Sequence, residues 1–156
     1  MKIAFVGPSG SGKTTLAKKV SSHFGLALIS NVINSRAYLR DEQLLTFYNT
    51  ARFIDAMTSI EPFVSDRWFV DNLIYARLFD LPGFYILTLR FLLEKSFDLG
   101  VRVFYVPPHN GTAPPDPQYM EKLQEELARY PQITIVKGET IEERFAFMCE
   151  ELEGKS

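Results

Sequence analysis

A glycine-rich octapeptide near the N-terminus constrains this chain more than any other feature. Residues 7–14 read GPSGSGKT and match the pattern G-x-x-x-x-G-K-[ST] at every fixed position. Glycines let the backbone curl with its N–H groups pointing inward, where side chains would collide with a bound phosphate. A short apolar run precedes the motif, and apolar residues at helical spacing follow it. The octapeptide is therefore predicted to be a phosphate-binding loop between a strand and a helix, rather than a flexible linker.

The same mechanism assigns roles to individual residues. Lys13 is expected to reach the β- and γ-phosphates of a nucleoside triphosphate, and the Thr14 hydroxyl is expected to bind Mg²⁺. The positive end of the helix that begins at the loop strengthens the anion site. This interpretation requires ATP and Mg²⁺ as cofactors. The residues expected to hold the nucleotide through the loop are Gly7, Ser9, Gly10, Ser11, Gly12, Lys13, Thr14 and Thr15.

The remaining sequence alternates strands and helices, which predicts an α/β fold. Strands are predicted at 2–6, 26–29, 63–66, 101–106 and 133–136, and helices at 13–24, 41–60, 68–79, 84–99, 120–130 and 141–152. This order predicts a five-stranded parallel sheet with helices on both faces, the three-layer P-loop NTPase fold. A length of 156 residues suits one domain spanning 1–156. The second helix is predicted to bury one apolar face formed by Leu44, Leu45, Tyr48, Ala51, Ile54 and Met57.

Composition excludes several other classes of protein. The single cysteine, Cys149, cannot close an internal disulfide, and with no other cysteine available a thiolate metal site is also excluded. His23 and His109 have no His or Cys neighbour at metal-ligand spacing, so both are expected to be surface or packing residues. A net charge of −2 provides no global field for DNA or anionic lipid. No stretch is long and apolar enough to span a membrane, and we expect a soluble cytoplasmic protein.

An acidic residue at the end of the third strand indicates which reaction the loop serves. A carboxylate on Asp66 can sit beside the Mg²⁺ of the loop and within reach of a substrate hydroxyl, with Arg67 next to it. The alternative is an Asp-Arg pair that only caps the strand end. Asp71 and Tyr75 follow on one face of the next helix, where they either line the acceptor pocket or make packing and solvent contacts. The chain lacks the Asn-Lys-x-Asp motif of GTPases.

Taken together, the loop, Asp66-Arg67 and the tail at 133–138 (ITIVKG) followed by Glu-Glu-Arg at 142–144 resemble the small P-loop nucleoside and nucleotide kinases. The likeness is greatest to the ribosylnicotinamide-kinase-like AAA group, which includes phage-encoded members. The resemblance implies the strand order 2-3-1-4-5, a role for Asp66 as base or metal partner, and a turn at Gly138 that borders the adenine. It also implies that Arg36, within Ser-Arg-Ala-Tyr, faces the acceptor.

Transition-state charge in such enzymes calls for a further cation from a lid. Arg77 and Arg90 are candidates, although each also fits a solvated surface. The segment 107–117 holds five prolines and is predicted to be a functional loop in which His109, Asn110 and Asp116 contact substrate.

These patterns predict phosphoryl transfer from ATP to a hydroxyl of a nucleoside, a nucleotide or a related group, with Lys13, Asp66 and Arg67 as catalytic residues. Three alternatives remain open at this stage. The hydroxyl can belong to polymeric DNA or RNA, as a hydroxymethylated base or a 5′ end. The chain can instead be a non-catalytic ATP-binding switch, or an NTP hydrolase in which Asp66 positions water.

Overall fold

The computed structural model of the protein describes residues 1–30, 41–109 and 111–154. In these ranges the strands are β1 (Lys2–Val6), β2 (Ala27–Ile29), β3 (Phe63–Ser65), β4 (Val101–Tyr105) and β5 (Thr134–Ile135). The helices are α1 (Lys13–Phe24), α2 (Glu42–Thr58), α3 (Phe69–Leu78), α4 (Gly83–Asp98), α5 (Pro117–Arg129) and α6 (Ile141–Leu152).

The strands form one parallel sheet in the order β2-β3-β1-β4-β5, which confirms the predicted fold and strand order. The central strand β1 pairs Ala4 with Ser65 of β3 on one side and Val6 with Tyr105 of β4 on the other. Parallel strands present their carboxyl ends at the same edge. The phosphate-loop sequence, Asp66 and the segment after β4 therefore leave the sheet side by side.

Both faces of the sheet are buried, because successive side chains of a strand point to opposite faces. From β1, Ile3 and Phe5 pack into a core shared with α1 and α6. Ala4 and Val6 pack into the opposite core, formed with helices α2 to α5. The helices thus lie on both faces, as the alternating sequence predicted.

The predicted apolar face of α2 is wrong in part. Leu44 is 56% exposed and Ala51 is also exposed, whereas the polar residues Asn49 and Thr50 are buried beside Phe53. The cause is a set of hydrogen bonds that hydrophobic spacing does not reveal. The Thr50 hydroxyl donates to the Thr46 carbonyl oxygen at 2.7 Å and accepts from the Asn72 amide at 3.0 Å. A polar group with such partners is buried at little cost.

Helix boundaries follow capping chemistry. The predicted cap at Asp41 is confirmed, since its carboxylate accepts from the backbone N–H groups of Gln43 and Leu44. Helix α5 begins three residues earlier than predicted, because Asp116 caps it and Pro117 occupies its first turn. Among the described residues, no helix is both long and apolar enough to cross a bilayer.

Candidate active site

The glycine-rich segment forms a tight loop between β1 and α1. Gly7, Gly10 and Gly12 have φ angles of 149°, 82° and 90°, which side chains disfavour. Gly7 is further constrained, because a Cβ there would lie 2.5 Å from the carbonyl oxygen of Val106. Gly12 is the N-cap of α1, so the positive end of this helix opens onto the loop.

Lys13 lies across the loop. Its side chain is buried, and its Nζ donates to the carbonyl oxygens of Gly7 at 2.5 Å and of Pro8 at 2.8 Å. Burial lowers the pKa of Lys13 to about 8, although the carboxylates of Asp71 and Asp66 act in the opposite direction. The ammonium group is thus held at the loop by two oxygen acceptors, and its protonation is sensitive to what else occupies the site.

Thr14 and Asp66 meet across the sheet edge. The Thr14 hydroxyl donates to Asp66 Oδ2 at 2.9 Å, although the two residues are separated by 52 positions in sequence. Asp66 directly follows β3 and is 3% exposed. The pair provides hydroxyl and carboxylate oxygens, the ligand type that Mg²⁺ prefers. The metal-binding residues predicted from sequence are therefore adjacent in the fold.

A cavity of about 520 Å³ collects most of the predicted nucleotide-binding residues. It is lined by Ser9, Gly10, Gly12, Lys13, Thr14, Thr15, Lys18, Ser30, Asp66 and Arg67. Four of these side chains carry charge, two lysines, one arginine and one aspartate, so the cavity is predominantly cationic. Such a surface suits a polyanionic ligand.

A second cavity of about 330 Å³ adjoins the first, because Ser9 lines both. Tyr75, Phe79 and Tyr119 provide aromatic walls. The remaining lining residues are Pro8, Leu78, Pro115, Asp116 and Gln118. The predicted pocket residue Tyr75 therefore faces a cavity, and Asp116 from the proline-rich loop lines the same cavity.

Arg67 stands between the two cavities. Its guanidinium lies 5.9 Å from the centre of the Tyr75 ring, while the residue itself lines the first cavity. Burial by itself would lower the pKa of Arg67, but nearby Asp71 and Tyr75 outweigh that effect and raise it. Arg67 therefore remains a fixed positive charge.

Of the two alternatives predicted for Asp71, the structure places this residue in packing contacts. It is 1% exposed and lines neither cavity, so it does not contact an acceptor in this arrangement. Its carboxylate accepts from the backbone N–H groups of Gly7 at 3.3 Å and Trp68 at 2.9 Å. The Tyr119 hydroxyl lies 3.2 Å from Asp71 Oδ1. Burial raises the pKa of Asp71 despite nearby Lys13 and Arg67. Asp71 therefore stabilises the phosphate loop by accepting a hydrogen bond from the Gly7 N–H.

Arg144 links Gly138 to the phosphate loop, and no role was predicted for this arginine from the sequence. Arg144 is 3% exposed, and its guanidinium donates to the carbonyl oxygens of Gly138 at 2.9 Å, Ser11 at 3.2 Å and Pro107 at 2.6 Å. The sequence contains a signal for a buried arginine here, because Arg144 lies at helical spacing from the buried residues Met148 and Leu152 of α6. A charged residue at such a position indicates a specific partner.

The residues predicted to contact substrate or to provide a lid cation lie in different parts of the molecule. Arg77 and Arg90 both pair with the buried carboxylate of Glu126, which gives them a structural role. His109 approaches the loop, since its Nε2 lies 3.9 Å from the position of a Cβ built on Gly12. Arg36 and Asn110 lie outside the described residues.

No family model matches this chain, and no curated protein does. Solved structures with a similar fold include kinases of nucleosides and nucleotides. Deoxyadenosine kinase from M. mycoides, with dCMP and dCDP bound, superposes with a TM-score of 0.65 at 16% identity, covering 100% of both chains. YorR from Bacillus subtilis, in complex with phosphorylated GDP, has a TM-score of 0.68 at 16% identity, covering 98% of this chain and 96% of that one. Thymidylate kinase from Ehrlichia chaffeensis has a TM-score of 0.60 at 16% identity, covering 97% and 98%. At this identity the likeness concerns the fold.

Proposed function

We propose that this protein is an ATP-dependent kinase that transfers the γ-phosphoryl group to a hydroxyl of a nucleoside or nucleotide. The observation that carries the proposal is the 2.9 Å contact between Thr14 of the phosphate loop and Asp66 at the end of β3, with Arg67 beside it. One carboxylate thereby stands next to both the metal-binding hydroxyl and the position where a γ-phosphate would end.

The first cavity suits the donor nucleotide. Loop N–H groups and Lys13 bind the phosphate oxygens, and α1 adds the positive end of its dipole. The Ser11 hydroxyl is buried without a hydrogen-bond partner among the described residues, which is consistent with a loop shaped to accept phosphate. Thr14 and Asp66 would hold Mg²⁺, which would neutralise charge on the transferred group. Gly138, held by Arg144, borders the adenine.

The second cavity suits the acceptor. Tyr75, Phe79 and Tyr119 offer aromatic surface to a planar base, and stacking on such rings tolerates different bases. A volume of about 330 Å³ lies at the lower end of ordinary small-molecule pockets. Deoxyadenosine kinase and thymidylate kinase, which share the fold, have acceptors of this chemical class in their names. Asp66 then orients or deprotonates the acceptor hydroxyl. Arg67 binds anionic phosphate oxygen.

Two substitutions test the assignment of roles. Lys13→Ala is expected to abolish turnover, because the phosphates lose their cation. Asp66→Asn is expected to lower kcat by about 10²–10⁴-fold while ATP binding remains nearly intact. Asp98→Asn, at the exposed end of α4, serves as the matched control and should leave kcat unchanged. Normal activity of Asp66→Asn would refute the role of the carboxylate.

The acceptor is identified by transfer of label from γ-labelled ATP to a panel, read by mass spectrometry. The panel contains nucleosides, nucleoside monophosphates, ribosylnicotinamide, and modified and unmodified DNA oligonucleotides. Label on a free nucleoside or nucleotide supports the proposal. Label on an oligonucleotide, with activity that falls steeply with salt, assigns the acceptor to a polymer instead. Phosphate release without a labelled acceptor identifies a hydrolase.

A further inference from the structure

Three side chains with metal-binding atoms converge at the end of the molecule where α1 and α6 terminate. His23 lies in the last turn of α1, Cys149 lies within α6, and Glu153 directly follows α6. One ligand atom from each residue lies within 4.8 Å of the other two. We call this set the His23–Cys149–Glu153 cluster. A single cysteine was expected to exclude a thiolate site, but the fold brings His23 and Glu153, which are 130 residues apart in sequence, close to Cys149.

One ligand separation in the cluster matches that of a tetrahedral metal site. His23 Nε2 lies 3.4 Å from Glu153 Oε1. Bond lengths of about 2.0–2.3 Å from Zn²⁺ to nitrogen, oxygen and sulfur imply ligand separations of roughly 3.3–3.8 Å. Glu153 is the C-cap of α6 and follows Cys149 by four residues, so both ligands come from the same end of this helix.

Accessibility and packing also favour a metal ion. The side chains of His23 and Glu153 are 48% and 49% exposed, so an ion and a fourth ligand from water enter without opening the fold. The His23 ring packs edge-on against Phe24 and Phe145, with centroid distances of 4.7 Å and 5.5 Å. These rings restrict its orientation. A ligand held in place by its neighbours loses less entropy on binding.

The mixture of donors selects the kind of metal. Thiolate and imidazole favour zinc over Mg²⁺ or Ca²⁺, which prefer oxygen ligands such as those at Thr14 and Asp66. Burial and the Glu153 carboxylate raise the pKa of the Cys149 thiol. A dication beside the sulfur favours the thiolate instead of the thiol, so the thiol proton is released to solvent as the Zn–S bond forms.

We propose that the His23–Cys149–Glu153 cluster binds one Zn²⁺ ion and joins α1 to α6. The two helices already pack against each other through a shared core. Helix α1 begins at the phosphate loop, and α6 carries Arg144, which bonds the loop at Ser11. The ion thus ties together the far ends of the two helices whose other ends frame the nucleotide site, and it stabilises the fold without contacting the nucleotide.

The test is a Zn²⁺ titration of the chelator-treated protein without nucleotide, in which calorimetry measures binding. A parallel titration with Co²⁺ provides a spectroscopic probe of the ligands. We expect one Zn²⁺ per chain and a thiolate-to-Co²⁺ charge-transfer band. Cys149→Ser and His23→Ala are expected to weaken Zn²⁺ binding at least about a hundredfold, and Cys149→Ser removes the band. Glu150→Gln, a neighbouring exposed acidic residue on α6, is the matched control and should bind Zn²⁺ as the wild type does.

A second readout is thermal stability. Zn²⁺ at about a hundredfold excess over its Kd should raise the Tm by roughly 5–10 °C, and only in chains that retain all three ligands. Equal Zn²⁺ affinity in the wild type and in both ligand variants would overturn the proposal, as would a Co²⁺ spectrum without a thiolate band. Phosphoryl transfer is measured separately. Neither variant alters Lys13 or Asp66, so failure of the metal site leaves the proposed kinase reaction untouched.

Discussion

At the scale of single residues, Gly7 shows how closely the phosphate loop is fitted to the sheet. The residue combines a φ of 149° with a Cβ position 2.5 Å from the Val106 carbonyl oxygen. We expect Gly7→Ala to lower the free energy of unfolding by more than about 3 kcal/mol, because strain and collision with backbone add together. Chemical denaturation measures this loss, and ATP titration of the surviving folded protein should show weaker binding.

Gly25 provides the matched control for that substitution. It caps α1 with a φ of 67°, but no atom lies within 4 Å of its Cβ position. Gly25→Ala should therefore cost only about 1 kcal/mol, the penalty of the left-handed conformation alone. If both variants lost the same stability, the contact with Val106 would not be the reason for glycine at position 7.

Lys13 makes nucleotide binding depend on pH in a defined direction. Burial lowers its pKa to about 8, so above that pH the free protein holds a neutral amine. Bound phosphate favours the ammonium form and raises the pKa, so binding takes up a proton. We expect uptake of about one proton per ATP near pH 9, almost none near pH 6.5, and an affinity that falls up to about tenfold per pH unit above 8.

Calorimetry in buffers of different ionisation enthalpy measures that uptake directly. Lys18 lines the same cavity but is exposed, so Lys18→Met should bind ATP with the same proton uptake as the wild type. Lys13→Met should show none. Uptake that persisted in Lys13→Met would mean that another group takes up the proton.

At the scale of secondary-structure elements, Arg144 connects three segments that come from different parts of the chain. Its guanidinium bonds the carbonyl oxygens of Ser11, Pro107 and Gly138. Arg144→Met keeps most of the side-chain volume but leaves these acceptors without a charged donor. We expect a loss of about 2–4 kcal/mol in the free energy of unfolding and at least tenfold weaker ATP binding.

Arg102 offers the comparison for Arg144. It also donates to a backbone oxygen and a carboxylate of Glu151, but its side chain is 47% exposed. Arg102→Met should change stability by less than about 1 kcal/mol and leave ATP binding unaltered, since exposed pairs contribute little. Denaturation curves and ATP titrations of the two variants side by side decide the matter. Equal effects would show that Arg144 acts as an ordinary surface arginine.

At the scale of the whole molecule, the sequence predicts the sheet better than it predicts the tertiary contacts that hold the site residues in place. Alternating apolar runs and a single loop motif are local signals, and the parallel order then brings Thr14 to Asp66. Two alternatives remained open for Asp71, because its contact with the Gly7 N–H depends on how α3 docks. Cys149 was set aside as a ligand because it is the only cysteine in the sequence, and its proximity to His23 arises from the packing of α1 on α6. Contacts between elements distant in sequence have no periodic signature.

One such contact is an ion network that joins three helices on one face of the sheet. Glu126 of α5 is 1% exposed and accepts from Arg77 of α3 at 3.0 Å and Arg90 of α4 at 2.6 Å. Both arginines remain about one-fifth exposed. A buried carboxylate of this kind is costly to lose, because Arg90 then lacks its carboxylate partner and Arg77 keeps only its pair with Glu125.

We therefore expect Glu126→Gln to lower the free energy of unfolding by about 2–4 kcal/mol, the range for breaking a buried pair reduced by the partial exposure of its partners. Arg129, 3.9 Å from the same carboxylate and 56% exposed, is the control, and Arg129→Gln should change stability by less than about 0.5 kcal/mol. Glu126, Arg77 and Arg90 line neither cavity, so the KM for ATP should stay constant in both variants at temperatures where they are folded. A raised KM in Glu126→Gln with unchanged stability would instead place this network in the lid chemistry first considered for Arg77 and Arg90.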